Sequence, residues 1–331
     1  MSILKEADIR PQSLFNEYLA LAREDAARLL ANENGFVSVS CPACDGKNSS
    51  ESFKKLGFRY AVCADCETLY ASPRPSIQQL AAFYRDALSV KFWSTDFFHQ
   101  TAEARRVVMF RPRAELISRL LAAQSPGGRY VDVGSGYGIL LEEVQRIGAF
   151  DEVIGLEPGP ELAQICRNRG FRVLEKSAED VESGECEASA ATAFEVLEHV
   201  FEPIFFLHGV RRLLRPGGKL ILTTLTVTGF DIQTLWEASK SVHPPHHLNL
   251  ISVRGMEILF ERAHFRLDEL TTPGLLDVDI VSNAIRENPR IDPPRFVREI
   301  LRPENQGARN AFQRFLSENR LSSHVRVIAT A

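Results

Sequence analysis

Long apolar runs, long basic runs and internal repeats are all missing from this sequence of 331 residues. No window approaches eighteen consecutive apolar residues, so the sequence predicts no membrane span. The first ten residues hold no apolar segment flanked by basic residues, so we expect no signal peptide and a cytoplasmic location. A formal net charge of −4 argues against a nucleic-acid partner, although net charge does not report on a local basic patch.

Cysteine is scarce too, but four of the six cysteines form two close pairs, Cys41-Pro-Ala-Cys44 and Cys63-Ala-Asp-Cys66. Eighteen residues separate the pairs, a spacing typical of a zinc ribbon. In a reducing compartment, cysteines this close in sequence are better explained as metal ligands than as disulfide partners. The alternative is that they are four unrelated cysteines at the surface. The sequence therefore predicts a structural Zn²⁺ site with no open position for catalysis. Cys166 and Cys186 have no partner at ligand spacing and are expected to be inert thiols.

The chain is predicted to have four consecutive parts. Residues 1–35 form an N-terminal helical segment with a helix at 11–31, and residues 36–75 form the zinc ribbon. Residues 76–125 form a helical connection or lid. The aromatic stretch at 92–99 either packs in a core or covers a ligand. Residues 126–331 form an α/β domain, with an insertion at 275–322 before the last strand.

Strands and helices alternate from residue 129 onward, which predicts a Rossmann-like, doubly wound sheet. The predicted helices lie near 138–147, 160–169 and 202–214, and Arg215-Pro-Gly-Gly218 is expected to be the turn after the last of them. Together with two final strands the sheet has seven, at 129–133, 153–157, 171–174, 189–194, 219–225, 264–270 and 325–329.

A glycine-rich turn follows the first of these strands. Gly134, Ser135, Gly136 and Gly138 let the backbone approach a ligand, and the helix after them offers unpaired N–H groups. The next strand ends at Glu157, about twenty residues on, where an acid grips the hydroxyl pair of a ribose. Dinucleotide-binding enzymes use the same device, so the turn alone does not decide the ligand.

Residues from about 105 to 331 resemble class I S-adenosylmethionine (SAM) dependent methyltransferases. With the ribbon in front, the chain also resembles bacterial methyltransferases that modify sugars and polysaccharide precursors, including sugar C-methyltransferases. The matching motifs are Val131-Asp-Val-Gly-Ser-Gly-Tyr-Gly138, Glu157-Pro-Gly159, Ser177-Ala-Glu-Asp180, Phe194-Glu-Val-Leu-Glu-His199, Arg215-Pro-Gly-Gly218 and His246-His-Leu-Asn-Leu-Ile-Ser252.

The resemblance implies a set of residues that bind SAM. Asp132 would orient the glycine turn or hold the ammonium of SAM through water, or else act as a structural turn acid. Glu179 would accept a hydrogen bond from the adenine amine, or else cap a helix in solvent. The full set is Asp132, Gly134, Ser135, Gly136, Gly138, Glu157, Pro158, Ala178, Glu179, Phe194 and Glu195.

Methylation of an unactivated hydroxyl requires a base that removes its proton. Histidine is the expected base, because the resemblance places His199 and the loop containing His247 near the methyl group. His243 and His246 are further candidates, and any of the four can instead make a helix-cap or loop hydrogen bond. The sugar C-methyltransferases usually have an acid where this chain has His246.

The sequence thus favours a SAM-dependent methyltransferase of polysaccharide biosynthesis that acts on a sugar, a sugar nucleotide or a saccharide-containing metabolite. O-methylation with histidine assistance is preferred over C-methylation. An RNA methyltransferase that uses the zinc ribbon for recognition is one alternative, and a non-catalytic SAM-binding scaffold is another.

Overall fold

The computed structural model of the chain describes residues 9–122 and 127–331. They form two compact units. The first comprises residues up to His99, Thr224–Ile258 and Leu270–Arg326, and the second comprises Gln100–Thr223, Leu259–Glu269 and Val327–Ala331. The four consecutive parts, with boundaries at residues 35, 75 and 125, stay a prediction.

A seven-stranded sheet dominates the second unit. Its strands lie in the order β10-β11-β8-β7-β4-β5-β6, and the central pairs among β4 to β8 are parallel. Main-chain hydrogen bonds join Gly217 to Ala331 and Thr226 to Ser323, so β11 runs antiparallel to β8 and the sheet is mixed. The strands are β4 (Arg129–Val133), β5 (Glu152–Leu156), β6 (Arg172–Leu174), β7 (Ala188–Phe194), β8 (Leu214–Leu225), β10 (Arg266–Thr271) and β11 (His324–Thr330).

Three helices alternate with the parallel strands, as expected for a doubly wound sheet. They are α6 (Ile139–Ile147), α7 (Pro160–Asn168) and α8 (Pro203–Leu213). The buried residues Tyr130, Leu141, Ala190 and Ile221 belong to one apolar cluster of this unit, which holds the strands and helices together.

The first unit contains a four-stranded sheet in the order β1-β2-β3-β9 with antiparallel pairing. Its strands are β1 (Ser49–Lys55), β2 (Phe58–Cys63), β3 (Leu69–Ala71) and β9 (Asn249–Leu250). Helix α1 (Gln12–Leu30) confirms the helix predicted at 11–31. The Ser76 hydroxyl accepts from the backbone N–H of Gln79 at the start of α2 (Ile77–Asp86), and Gln79 caps in return.

Residues 88–122 are helical, as predicted. They form α3 (Leu88–Phe92), α4 (Phe98–Arg105) and α5 (Arg111–Ile117), joined and followed by π-helical stretches at Trp93–Phe97, Arg106–Phe110 and Ser118–Ala122. The Trp93 and Phe97 rings stack with centroids 4.2 Å apart and belong to one cluster with Phe15 and Tyr18 of α1. The aromatic stretch therefore takes part in core packing.

The remaining helices follow β8. They are α9 (Phe230–Leu235), α10 (Val253–Arg262), α11 (Asp277–Glu287), α12 (Arg295–Ile300) and α13 (Gln306–Glu318). The last three fill most of the predicted insertion at 275–322. Within residues 9–122 and 127–331, no helix has both the length and the apolar character that a bilayer crossing requires.

One local prediction was wrong. Arg215–Gly218 was expected to be a turn before a strand at 219–225, but these residues lie inside β8, which begins at Leu214. Leu214 pairs with Ala188 and Lys219 pairs with Ala190, so the residues between them form a bulge. Gly217, with φ of +77°, provides the left-handed backbone of the bulge.

Candidate cofactor site and histidine loop

The glycine turn after β4 has the backbone conformation that its sequence predicts. Gly134, Gly136 and Gly138 have φ values of +76°, +51° and +72°, a region that residues with side chains rarely adopt. A Cβ on Gly134 would lie 2.9 Å from a methyl group of Val196, whereas a Cβ on Gly136 would meet no atom of the described residues within 4 Å. The backbone at Gly136 therefore faces open space at the carboxyl end of the strand.

Glu157 connects this turn to the end of β5. One carboxylate oxygen accepts from the Gly136 N–H at 2.8 Å, and the other accepts from the Gly159 N–H at 2.9 Å. The side chain is buried, and burial raises the pKa of Glu157 while the two N–H groups oppose the shift. Each oxygen keeps lone-pair capacity for a further donor. Pro158, between the two bonded positions, is exposed.

Asp132 lies in β4, one residue before its end, and is almost fully buried. The Thr192 hydroxyl of β7 donates to Asp132 at 2.7 Å, and the Tyr130 hydroxyl lies 2.5 Å from the Thr192 oxygen. Burial raises the pKa of Asp132 to about 7, against the Thr192 hydrogen bond and the Arg113 charge, which lower it. The sequence did not indicate Thr192, because its partner is distant in the chain.

Two further polar side chains, those of Cys166 and Ser135, belong to the turn or contact it. The Cys166 thiol, expected to be inert, donates to the Gly136 carbonyl at 3.1 Å, and a Cβ on Gly138 would lie 2.9 Å from its sulfur. Burial raises the pKa of Cys166 to about 11, so it remains a neutral donor at neutral pH. The Ser135 hydroxyl oxygen is shielded from solvent and has no hydrogen-bond partner among the residues that the structure describes.

Phe194 and Glu195 lie where β7 ends. Glu195 has a left-handed backbone with φ of +57°. One of its oxygens accepts from Arg113 at 2.9 Å and from the Thr223 hydroxyl at 2.8 Å. The Arg113 guanidinium also lies over the Phe194 ring, 4.7 Å from its centroid. Nothing in the sequence singles out Arg113, which is 82 residues from Glu195.

Ala178 and Glu179 begin a short 3₁₀ helix, Ala178–Asp180. A Cβ on Gly209 of α8 would lie 1.9 Å from the Ala178 carbonyl oxygen, so the helix and this turn are in close backbone contact. Arg212 donates to the carbonyl oxygens of Glu179 and Val181, at 2.7 and 2.5 Å. The Glu179 side chain is partly buried, and this burial raises the pKa of its carboxyl.

The four candidate histidines are divided between the two units. His199 belongs to the second unit, and its N–H donates to the Val196 carbonyl in the turn after β7. His243, His246 and His247 belong to the first unit. The rings of His243 and His246 lie parallel with centroids 5.4 Å apart. The structure therefore groups the last three within a single loop.

These three neighbouring histidines differ in chemistry. His247 Nδ1 lies 2.6 Å from the Ser241 carbonyl oxygen, which fixes the Nδ1–H tautomer and places a lone pair on Nε2. His246 Nε2 lies 3.2 Å from the Ser89 hydroxyl. Burial lowers the pKa of His243 to about 3, so its imidazole is a poor proton acceptor.

The four ribbon cysteines come together in the first unit. All four sulfur atoms lie within 4.8 Å of one another, and the Cys41–Cys66 and Cys44–Cys63 pairs are each 3.5 Å apart. These distances exclude disulfides and approach the roughly 3.8 Å between sulfur atoms around a tetrahedral Zn²⁺. The contact between the Cys41 and Cys66 thiols lowers the pKa of Cys66 to about 5 and raises the pKa of Cys41.

The sequence profile of the methyltransferase-domain family matches residues 103–270, half of the chain. A ubiquinone biosynthesis O-methyltransferase from Xanthomonas oryzae pv. oryzae is 34% identical over 151 residues, which cover 43% of this chain and 59% of that protein. The protein of the same name from Xanthomonas campestris pv. campestris is 32% identical over the same coverage. The match thus spans less than two thirds of these relatives.

One solved structure that is similar to this chain is a SAM-dependent methyltransferase from Mesorhizobium loti, which is 15% identical in sequence. The TM-score is 0.43, and the alignment covers 66% of this chain and 98% of that one. SAM-bound CalS10, an amino pentose methyltransferase from Micromonospora echinaspora, is 25% identical with a TM-score of 0.33 over 38% of this chain and 54% of that one. On the family match, which spans half of its residues, this chain belongs to the methyltransferase-domain family.

Proposed function

We propose that the turn after β4 and the carboxylate of Glu157 hold SAM, which supplies an electrophilic methyl group when it is bound. The bridge from Glu157 to the Gly136 and Gly159 N–H groups carries this assignment. It fixes the carboxylate beside a backbone that faces open space, with lone pairs available for the two ribose hydroxyls. The Ser135 hydroxyl, which has no hydrogen-bond partner within residues 9–122 and 127–331, fits a site that a polar ligand completes.

The other residues of the site have narrower proposed roles. Gly134 and Gly138 shape the turn, and Asp132 orients it through Thr192. Ala178 and Glu179 contact adenine, Phe194 and Glu195 line the methyl side, and Pro158 borders the ribose. Arg113 is a positioning residue for this side, because it holds both Glu195 and the Phe194 ring.

The proposed reaction is O-methylation of a hydroxyl group on a small molecule. Relatives that are named as O-methyltransferases support the choice of oxygen. Because those relatives are named for ubiquinone biosynthesis, they do not support the sugar acceptor that the sequence favoured. The relatives and the family match favour neither an RNA acceptor nor a non-catalytic scaffold.

We assign removal of the acceptor proton to His247. Its Nδ1–H is held by the Ser241 carbonyl, which leaves the basic lone pair on Nε2 and stabilises the imidazolium after proton transfer. His199 is the second candidate. The low pKa of His243 and the enclosed position of His246 beside Ser89 suit packing better than proton transfer.

The four clustered cysteines are proposed to hold one structural Zn²⁺. Four thiolates fill the tetrahedral coordination that zinc prefers, so the ion would brace the chain around β2 and would not take part in methyl transfer.

A matched pair of glycine variants tests the cofactor assignment. Gly136 and Gly148 both have positive φ, +51° and +68°, and a Cβ on either meets no atom within 4 Å. Gly136→Ala and Gly148→Ala should therefore lose similar stability, roughly 1 kcal/mol each. Only Gly136→Ala should weaken SAM binding and methyl transfer, as measured by calorimetry and with a radiolabelled methyl group. Equal SAM affinities in the two variants would reject the assignment.

A further inference from the structure

An open cavity of about 390 Å³ lies in the second unit, at the amino ends of β7 and β8. Because β4, β7 and β8 are parallel, this edge of the sheet is opposite the carboxyl ends that carry the glycine turn. The cavity is lined by Ser183, Gly184 and Glu187, by the second half of α8, by the start of β8 and by the turn before β10. None of the roles assigned above uses these residues.

The lining of this cavity is strongly basic. Three arginines, Arg211, Arg212 and Arg215, line it together with a single carboxylate, Glu187. Arg211 donates to the His264 carbonyl, and Arg212 donates to two other carbonyls. Across residues 9–122 and 127–331, neither Arg211 nor Arg212 forms an ion pair with a carboxylate. The guanidinium groups of Arg211 and Arg212 therefore bring positive charge to the cavity without an ion-paired carboxylate among the described residues.

Two histidine rings add hydrogen-bonding capacity to the same wall. The rings of His208 and His264 are nearly parallel, with centroids 6.4 Å apart and an angle of 7° between their planes. His208 Nε2 is shielded from solvent and has no hydrogen-bond partner in the described part of the chain. A shielded ring nitrogen without a partner costs free energy, and a ligand oxygen would remove that cost.

We propose that this cavity binds the phosphate group of a small phosphorylated molecule. Guanidinium groups match phosphate oxygens with paired donors, and the His208 nitrogen supplies a further contact. The volume of about 390 Å³ leaves room for the rest of a phosphate ester beside its phosphate group. Arg211 is the principal phosphate ligand, because its only hydrogen bond in the described chain engages Nε and leaves the other guanidinium donors available.

Arg212 links this cavity to the proposed adenine contact, a link that rests on the function proposed above. Its guanidinium holds the carbonyl oxygens of Glu179 and Val181 and also lines the cavity. A phosphate that draws Arg212 away from these carbonyls loosens the turn that contacts adenine. Phosphate binding therefore weakens SAM binding, and SAM weakens phosphate binding by the same factor.

Calorimetric titration of the full chain with inorganic phosphate and with pyrophosphate, without SAM, tests the cavity alone. Both probes should bind, and Arg211→Gln and His208→Gln should weaken binding, by roughly tenfold for Arg211→Gln. Arg211→Lys should retain part of the affinity. Arg167→Gln removes the same charge and a surface ion pair with Glu175, and it should bind both probes as the parent does. Circular dichroism confirms that each variant is folded.

Two results would overturn the proposal. One is the absence of saturable binding of either probe at millimolar concentration by the folded parent. The other is equal probe affinity in the parent, Arg211→Gln and His208→Gln.

A separate SAM titration at saturating pyrophosphate tests the link through Arg212. The parent should lose SAM affinity several-fold, and an unchanged value would reject the link while leaving the phosphate site intact. Because the first titration contains no SAM, failure of the cofactor assignment does not affect it.

Discussion

Replacing Glu157 by glutamine is the most direct perturbation of the proposed cofactor site. The carboxylate accepts one backbone N–H on each oxygen, from Gly136 at 2.8 Å and from Gly159 at 2.9 Å. A glutamine amide keeps one acceptor but presents an NH₂ group to the other N–H, so two donors face each other. Leaving one N–H unpaired in this buried site should cost about 1–3 kcal/mol of folding free energy.

The loss of SAM affinity in Glu157→Gln should be larger than the loss expected from removing a hydrogen bond between two neutral groups. In Glu157→Gln the ribose hydroxyls lose an ionised acceptor, and hydrogen bonds to charged groups contribute about 1.5–3 kcal/mol. Such a loss corresponds to a Kd increase of about 10- to 150-fold. Glu157→Ala should lose at least as much, because it leaves both N–H groups without the side-chain acceptor.

Isothermal titration with SAM and with S-adenosylhomocysteine measures the effect, and thermal denaturation measures the accompanying loss of stability. Glu152→Gln is the matched control, because Glu152 lies at the other end of β5 and pairs with Arg129 and Arg172 at the surface. The control removes the same charge at the opposite end of β5 and should leave SAM affinity unchanged. If Glu157→Gln binds SAM within about twofold of the parent, the ribose assignment is wrong.

Three further predictions concern the base, the cysteine cluster and a buried acid. His247→Ala should lower turnover by roughly 10²–10⁴-fold without changing SAM affinity, whereas exposed His99→Ala should keep normal turnover. The purified chain should hold about one zinc by elemental analysis, and Cys41→Ser or Cys63→Ser should lose it. Buried Cys186→Ser should retain it, and full retention in the first two variants would contradict the zinc site. Burial and the Asp277 charge raise the pKa of Asp231 to about 8, above about 3.9 in the unfolded chain. The contribution of protonated Asp231 to the free energy of unfolding is therefore complete below about pH 4 and is lost as pH rises toward 8. Denaturation of Asp231→Asn at a series of pH values should not show this loss of stability.

The central strands and the glycine turn could be predicted because their signals are local. Strand β4 occupies 129–133 as predicted, and Glu157 directly follows β5. A short apolar run, a cluster of glycines and an acid at a fixed distance lie within about thirty residues. Each of these features determines backbone conformation or strand position without help from distant parts of the chain.

Other features depend on pairing between distant residues. Arg215–Gly218 has the composition of a turn, but pairing of Leu214 with Ala188 draws these residues into β8 as a bulge. Asn249 and Leu250 form a strand only because they pair with β3. Arg113 and Thr192 belong to the site through contacts that span 82 and 60 residues. Propensity and spacing carry no information about such partners.

Net charge also concealed how charge is arranged on the sheet. Three carboxylates, those of Asp132, Glu157 and Glu195, lie at or beside the carboxyl ends of β4, β5 and β7. Arginines gather at the amino ends of β7 and β8. SAM, which we propose binds at the carboxyl edge, carries a sulfonium and an ammonium that carboxylates attract, and the arginines at the amino edge suit the proposed phosphate ligand. The overall charge of −4 therefore does not reveal that carboxylates and arginines gather at opposite edges of the same sheet.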